Sequence, residues 1–348
     1  MTSQYLRIIL ISSILILATG CTDMNAFRAV KPSMSMSAAQ GTKYQTPNIE
    51  GYSVFFADEF HNLHGGAPNP ATWDYDVDYQ RNDEAQCYTD NRRENVRVEE
   101  RMIDGVANGV LVLQTRKENY PCPYASGRVF EYTSGSIMTR KRDWKQILVD
   151  MPFGRYEVRA KVPKGRGTWP AIWLLGESKL GGWPNSGEID IMEQVGYDEE
   201  RGKYAFYSTL HRNGQQRPWP TQLGSHTGMG HELILNEPPS ARFHTFRLDW
   251  TPVSLEFFVD GQRVSKRTIQ WDNLFAEDAG FFRDQTANSF DDLGWPFGRP
   301  AAQNAQFFMI LNLAFGGGWG GAAGIDTSIF DRGNVEMLVD YVRVYKKN

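Results

Sequence analysis

Helical periodicity is what this 348-residue chain most lacks. No long segment repeats its apolar residues every 3.6 positions, which leaves little room for a helix bundle or a helix-rich α/β fold. Histidine and cysteine are scarce. The 6 His form no His-Glu-x-x-His pattern and the 3 Cys no paired spacing, so a catalytic transition metal is not expected. An excess of basic residues is also missing. With 37 Lys and Arg against 41 Asp and Glu the net charge is −4, and a nucleic-acid binder normally shows a basic patch. No internal repeat and no second domain stand out, and the only long apolar run, Ile8 to Leu17, is too short to span a bilayer.

That run nevertheless carries information. Arg7 precedes it and Ala18, Thr19, Gly20 and Cys21 follow, which is the charge-then-apolar form of a secretory signal. A small residue before Cys21 resembles the bacterial lipoprotein signal, whose cysteine is lipidated after cleavage; Ala18 stands where Leu is commoner. A plain signal peptide cleaved nearby is the alternative. The expectation is therefore a signal at 1–20, a flexible Ser-, Ala-, Met- and Thr-containing tether at 21–48, and one domain at 49–348. Export to the cell envelope, with a membrane anchor at Cys21, or else secretion, goes with it. The two remaining cysteines, Cys87 and Cys122, either form a disulfide in an oxidising compartment or stay as buried thiols.

The chain is rich in aromatics and turn formers: 10 Trp, 15 Tyr and 20 Phe beside 33 Gly and 17 Pro. That mixture suits short strands and an aromatic-lined surface. Strands are expected at 53–56, 95–98, 110–114, 136–139, 155–162, 165–175, 206–211, 243–250, 255–259, 307–315 and 339–345. Tyr156, Val158, Ala160 and Val162 share one face against Glu157, Arg159 and Lys161, the alternation of a half-buried strand. Trp169, Ala171 and Trp173 share one parity, and Ile172 and Leu174 the other. Asp260-Gly261 reads as a hairpin turn, Gly105 and Gly109 as parts of one longer turn. The segment 272–304 is the least regular and suggests a short helix or an inserted loop. Regular strands without helices point to an all-β, two-sheet sandwich. Gly316, Gly318 and Gly321 match a dinucleotide-binding pattern, but no amphipathic helix follows, so the match is chance.

The chemistry concentrates in Trp183 to Gly196, W-P-N-S-G-E-I-D-I-M-E-Q-V-G. In a strand Glu188 and Asp190 share a face while Ile189 and Ile191 point into the core. Glu193 lies at an odd offset and belongs on the wrong side. A β-bulge adds one residue and brings it back to the other two acids. Three acids on one face repel, and a fold gains nothing from that. The alternative is an ordinary solvated strand face.

Several stretches together resemble glycoside hydrolase family 16, in its laminarinase-like branch. They are F-F-A-D-E-F at 55–60, Q-C-Y-T-D-N-R-R-E-N-V at 86–96, Y-T-S-G at 132–135, F-G-R-Y-E-V-R-A-K-V-P at 153–163 and G-T-W-P-A-I-W-L-L at 167–175. S-G-E-I-D-I-M-E, S-T-L-H at 208–211, F-F-V-D-G, I-L-N-L-A-F-G-G-G-W-G-G and V-D-Y-V-R-V-Y complete the series in order. The resemblance implies a concanavalin A-like β-jelly-roll sandwich with a concave glycan cleft. It also implies a monomeric endo-β-1,3-glucanase acting with retention, Glu188 as nucleophile, Glu193 as acid/base and Asp190 tuning the pair. Mixed-linkage glucan or an algal galactan is the alternative substrate, and a non-catalytic glucan-binding protein the alternative role.

Binding residues follow by the same resemblance. Trp169 and Trp173 match cleft positions, with packing between the sheets as the alternative for one of them. Asn95 and His211 match hydrogen-bonding positions, and a satisfied core histidine is the alternative for His211. Trp319 is expected at the cleft rim. Ser136 stands where relatives often carry Arg, which puts one subsite contact in doubt. A structural calcium, common in the family, would take the backbone carbonyls of Glu59 and Gly109 and the carboxylate of Asp340, a residue that equally suits capping a turn.

Overall fold

A computed structural model describes residues 46–61, 66–77, 81–177, 182–184, 186–213, 226–251, 254–264, 281–282 and 306–348. The signal at 1–20, Cys21 and nearly all of the tether lie outside the described residues, as does 272–304 apart from 281–282.

The described strands are β1 (Tyr52–Asp58), β2 (Asp74–Tyr75), β3 (Gln86–Tyr88), β4 (Val96–Ile103), β5 (Val106–Pro121) and β6 (Val129–Ser134). There follow β7 (Ser136–Met138), β8 (Gly154–Lys161), β9 (Thr168–Gly176), β10 (Glu188–Glu193), the short helix α1 (Gly196–Glu200), β11 (Ala205–Asn213) and β12 (His226–Ile234). The series ends with β13 (His244–Thr251), β14 (Ser254–Val259), β15 (Gln262–Arg263), β16 (Phe281–Phe282), β17 (Phe307–Phe315) and β18 (Val335–Lys347). They form two sheets. The larger runs β15-β14-β13-β8-β18-β5-β6-β3, with β1, β16 and β4 attached to β18, β14 and β5. The smaller runs β12-β11-β10-β9-β17-β7-β2.

Alternation in the sequence builds the layer between them. Tyr156, Val158 and Ala160 of β8 are fully buried against Phe246 and Leu248, while Glu157 and Arg159 face outward. From the smaller sheet Ile172, Leu174, Ile189, Phe206, Leu210, Met309 and Leu311 enter the same core. Each such side chain contributes about 1.5–3 kcal/mol when fully buried. Strand β17 is buried at every residue. Its odd positions serve the inter-sheet core, while Phe308 and Ile310 join Met138, Ala171 and Trp173 on the opposite face, where Trp144 and Ile147 cover them.

Two hairpin turns carry consecutive residues at positive φ. Asp260 (φ 51°) and Gly261 (φ 77°) form the two-residue hairpin turn between β14 and β15. Asp104 (φ 49°) and Gly105 (φ 81°) do the same between β4 and β5, with Ile103 opposite Val106. Two positive φ values in a row match the right-handed twist of the flanking strands. Gly109, expected in a turn, lies inside β5, where a Cβ would stand 2.2 Å from the Phe60 carbonyl oxygen. The stretch Gly317–Ala323 is a run of turns with no α-helix after it among the described residues.

Candidate active site

Strand β10 pairs with β9 and β11, and its register slips in both ladders after Asp190. Against β9, Glu188 faces Leu175, Asp190 faces Trp173 and Glu193 faces Ala171, all one parity. Ile189 and Met192 face Leu174 and Ile172 in the core, so Ile191 is the additional residue of a bulge. The three carboxylates thus share the face that lines a cleft of about 630 Å³.

Each acid has a distinct set of neighbours. Glu188 accepts a hydrogen bond from Trp183 Nε1 at 2.9 Å on Oε2, and His211 Nε2 lies 3.8 Å from its Oε1. His211 Nε2 is 3.1 Å from Asp190 Oδ2. Glu193 accepts from Trp169 Nε1 at 3.0 Å. Burial, then the charge of Asp190, pushes the Glu193 carboxyl up to about 8. Burial, then Glu188, pushes Asp190 up to about 7. Glu188 is raised by burial as well, but the charge of His211 and the Trp183 donor work against the rise. Burial works against charge on His211, yet the hydrogen bond and charge of Asp190 carry it up to about 9. The resulting state at neutral pH is an imidazolium beside Glu188 and Asp190 and a proton held on Glu193. Glu188, Asp190 and His211 also offer one ligand atom each within 4.8 Å of one another. A protonated His211 presents a donor there, which opposes a metal ion.

Trp169, Trp173, His211 and Trp319 all line this cleft. Trp173 sits in the cluster on the cleft side of the sheet and not between the sheets. Its Nε1 donates to Asn312 Oδ1 at 2.7 Å, and the Arg81 guanidinium carbon lies 5.1 Å from its ring centroid. Asn95 departs from expectation. It is fully buried and absent from the cleft lining, with Oδ1 accepting from Thr89 Oγ1 at 2.9 Å. Its Nδ2 donates to Gln114 O and Thr133 Oγ1, both at 3.0 Å, so its polar capacity is spent on joining β5 to β6. Ser136 donates to Asp76 Oδ2 at 3.1 Å, and Arg81 grips the same carboxylate at 2.7 and 3.2 Å. A guanidinium therefore enters the cleft from a loop and not from position 136. Cys87 and Cys122 are joined in a disulfide.

At the expected calcium positions the Phe60 backbone runs against Gly109, and Asn108 Nδ2 donates to Asp340 Oδ1. Asn108 Oδ1 is buried without a hydrogen-bond partner, so hard oxygen donors do collect there. Arg159 Nη1 lies 2.5 Å from Asp340 Oδ2, so an ion would share that carboxylate with an arginine. The Glu59 carboxylate is committed to Arg343 at 2.8 Å through both oxygens, which leaves only its carbonyl for an ion.

The model of the family described as glycosyl hydrolases family 16 matches residues 91–289, more than half of the chain and inclusive of the bulged strand. The chain belongs to glycoside hydrolase family 16. It is 36% identical over 304 residues to a β-glucanase of Rhodothermus marinus, covering 85% of each chain. It is 34% identical over 272 residues to a glucan endo-1,3-β-glucosidase of Cryptopygus antarcticus, covering 77% of this chain and 83% of the relative. The crystal structure of a laminarinase from Rhodothermus marinus superposes with a TM-score of 0.62 at 33% identity, covering 85% and 97% of the two chains. A non-specific endo-β-1,3(4)-glucanase of family 16 superposes with a TM-score of 0.63 at 34% identity, covering 87% and 94%. The protein is thus a laminarinase-like family 16 hydrolase with a β-jelly-roll fold.

In this family 16 chain the cleft wall includes residues that no sequence motif marks. Trp183 touches Glu188, and Arg81, Asn82, Glu84, Trp144, Thr209 and Asn312 also line the wall. Trp183 stands five residues before Glu188, so a search of that stretch for donors finds it. Arg81 and Trp144 sit on loops remote in sequence, and no local pattern marks them.

Proposed function

We propose that the protein is an endo-acting β-1,3-glucanase that cleaves by double displacement with retained configuration. The carrying observation is the bulge at Ile191, which sets Glu188, Asp190 and Glu193 on one face of the cleft with unlike neighbours. In the first step Glu193 gives its proton to the glycosidic oxygen while Glu188 attacks the anomeric carbon. The C–O bond breaks, the leaving sugar departs as an alcohol, and a glycosyl ester of Glu188 remains. In the second step Glu193, now a carboxylate, takes a proton from water, whose oxygen attacks the same carbon and releases Glu188. The His211 charge and the Trp183 donor favour the carboxylate of Glu188 before it attacks and again when water releases it, and Asp190 holds His211 protonated. Trp169 and Trp319 offer flat apolar surfaces to sugar rings.

Relatives named as glucan endo-1,3-β-glucosidases favour β-1,3-linked glucan. The similarity to a non-specific 1,3(4)-glucanase favours a second reading in which mixed-linkage glucan is also cut. Side-by-side product analysis on laminarin, lichenan and agar, with the anomeric configuration followed by proton NMR, tests both. Inverted product, or release from agar alone, sinks the proposal. Export and anchoring at Cys21 belong to the same reading, and a Cys21→Ser form that still partitions with membranes refutes the anchor.

A further inference from the structure

Tyr207 lies outside the cleft lining, directly across the β10–β11 ladder from Glu193. Its ring stands edge-on to Trp319, with centroids 4.9 Å apart and planes at 68°. Trp319 meets Trp169 edge-on in turn, at 5.6 Å and 78°. Trp169 closes the series by donating Nε1–H to Glu193 Oε1 at 3.0 Å. Tyr207 is itself anchored, since its hydroxyl binds the Asp198 carboxylate and Lys203 Nζ lies 5.0 Å over its ring.

An indole N–H donates and never accepts. While Trp169 points at Oε1, that oxygen accepts and the carboxyl proton is favoured on Oε2; Thr209 supplies a second side-chain hydrogen bond to the same carboxyl. General acid catalysis needs the proton on the oxygen that faces the leaving group, so the indole selects the productive form of the acid. Edge-on aromatic pairs hold a ring's orientation with about 0.5–1.5 kcal/mol each. We propose that Tyr207 is a positioning residue for acid catalysis, holding Trp319 and Trp169 so that the Glu193 proton stays on Oε2. The inference rests on the reading of Glu193 as acid/base. The other charged groups facing Glu193 are Asp190 and Glu188 from its own strand and His211 from β11; the titratable groups facing Tyr207 are Asp198, Tyr197, Arg201, Lys203 and Glu232. None of them changes in the variants below.

The test compares Tyr207→Ala and Tyr207→Phe on laminarin and on 2,4-dinitrophenyl β-laminaribioside, whose phenolate leaves without a proton. Tyr207→Ala should lose about ten-fold or more in kcat/KM on laminarin while its dinitrophenolate burst stays within about two-fold. Its alkaline limb should move to higher pH, because the indole donor that favours the carboxylate is released. Tyr207→Phe keeps the ring and should stay within about two-fold on both substrates. If melting curves show Tyr207→Ala unfolded, Tyr207→Leu, which fills the space without an aromatic edge, must give the same pattern. Equal losses on both substrates, or an unchanged alkaline limb, overturn the proposal. Glu193→Ala is measured alongside. If its burst survives and laminarin hydrolysis does not, the acid is upheld and a negative Tyr207→Ala result counts against Tyr207 alone. If Glu193→Ala loses the burst too, the reading of Glu193 itself falls.

Discussion

Trp183 donates its indole N–H to Oε2 of Glu188 at 2.9 Å while 51% of the tryptophan remains exposed. Its ring also lies 6.4 Å from that of His211, the cation beside the same carboxylate. The donor stabilises the carboxylate form of Glu188 against burial. Trp183→Phe keeps an aromatic ring and removes the donor. Glu188 must be ionised to attack, so raising its pKa moves the acid limb of kcat/KM to higher pH. The plateau rate should fall about ten-fold, equivalent to about 1.4 kcal/mol. A pH–rate profile on laminarin checks both, and an unmoved acid limb would show that the bond does not matter.

Glu193 sets the other limb. Its pKa is raised from 4.5 to about 8, so the proton that catalysis needs is present below about pH 8 and lost above it. Hydrolysis should decline through that pH. Stability follows with a definite sign. The folded state holds this proton more tightly than the unfolded chain, so the associated stability is intact below about pH 4.5 and is lost as pH rises through about 8. Glu193→Gln has no charge to bury. It should melt with the parent at pH 4, melt a few degrees above it at pH 8, and be inactive on laminarin at both. Equal melting temperatures at pH 8 would mean that the Glu193 charge is already solvated.

The bulge was legible because parity is arithmetic: acids at 188, 190 and 193 cannot share a strand face without an additional residue, and Ile191 supplies it. The hairpin at Asp260-Gly261 was legible for the same local reason, whereas Asp104-Gly105 was submerged by the nearby Gly109. Arg81 and Trp144 were not legible, because each reaches the cleft from a loop whose path depends on tertiary contacts such as Arg81 with Asp76. For Asn95 the resemblance alone points to the cleft. Nothing local distinguishes an amide that binds sugar from one that joins strands, and only its partners decide.

The Cys87–Cys122 bridge closes a separation of 35 residues and fastens β3 to the end of β5. Closing such a loop in the unfolded chain is worth about 4 kcal/mol. Strand β3 also carries Tyr88, whose hydroxyl accepts from Asn312, the residue that accepts from Trp173. The double replacement Cys87→Ser/Cys122→Ser should therefore lower the unfolding free energy by about 2–4 kcal/mol in a denaturant titration. It should also raise KM for laminarin as the cleft wall loosens. A double variant with parental stability would show that the bridge adds no constraint.

Calcium, if held by the carbonyls of Glu59 and Gly109 and the carboxylate of Asp340, binds the folded state alone. Saturation to 100 times Kd then adds about 2.7 kcal/mol. Calcium should raise the melting temperature, EDTA should reverse the rise, and Asp340→Asn should abolish the response. Arg159 shares the Asp340 carboxylate, so the asparagine form also loses an ion pair and should melt lower even in EDTA. A parent that melts identically with calcium and with EDTA would remove the ion from the account.

Asn95 separates binding from architecture most directly. Its side chain is fully buried and engages Thr89, Gln114 and Thr133 at 2.9–3.0 Å. Removing the amide takes a partner from the Gln114 carbonyl and from the Thr89 hydroxyl, at about 1–3 kcal/mol for each group stranded, while Thr133 keeps Glu118 and Arg92. Asn95→Ala should therefore destabilise the fold by about 2–4 kcal/mol. A sugar-binding asparagine would behave in the opposite way, with KM rising several-fold and stability nearly unchanged. Urea unfolding and laminarin kinetics on the same preparation decide between them. The buried hydrogen bonds predict a lower unfolding midpoint with KM within about two-fold of the parent, since no atom of Asn95 reaches the cleft surface.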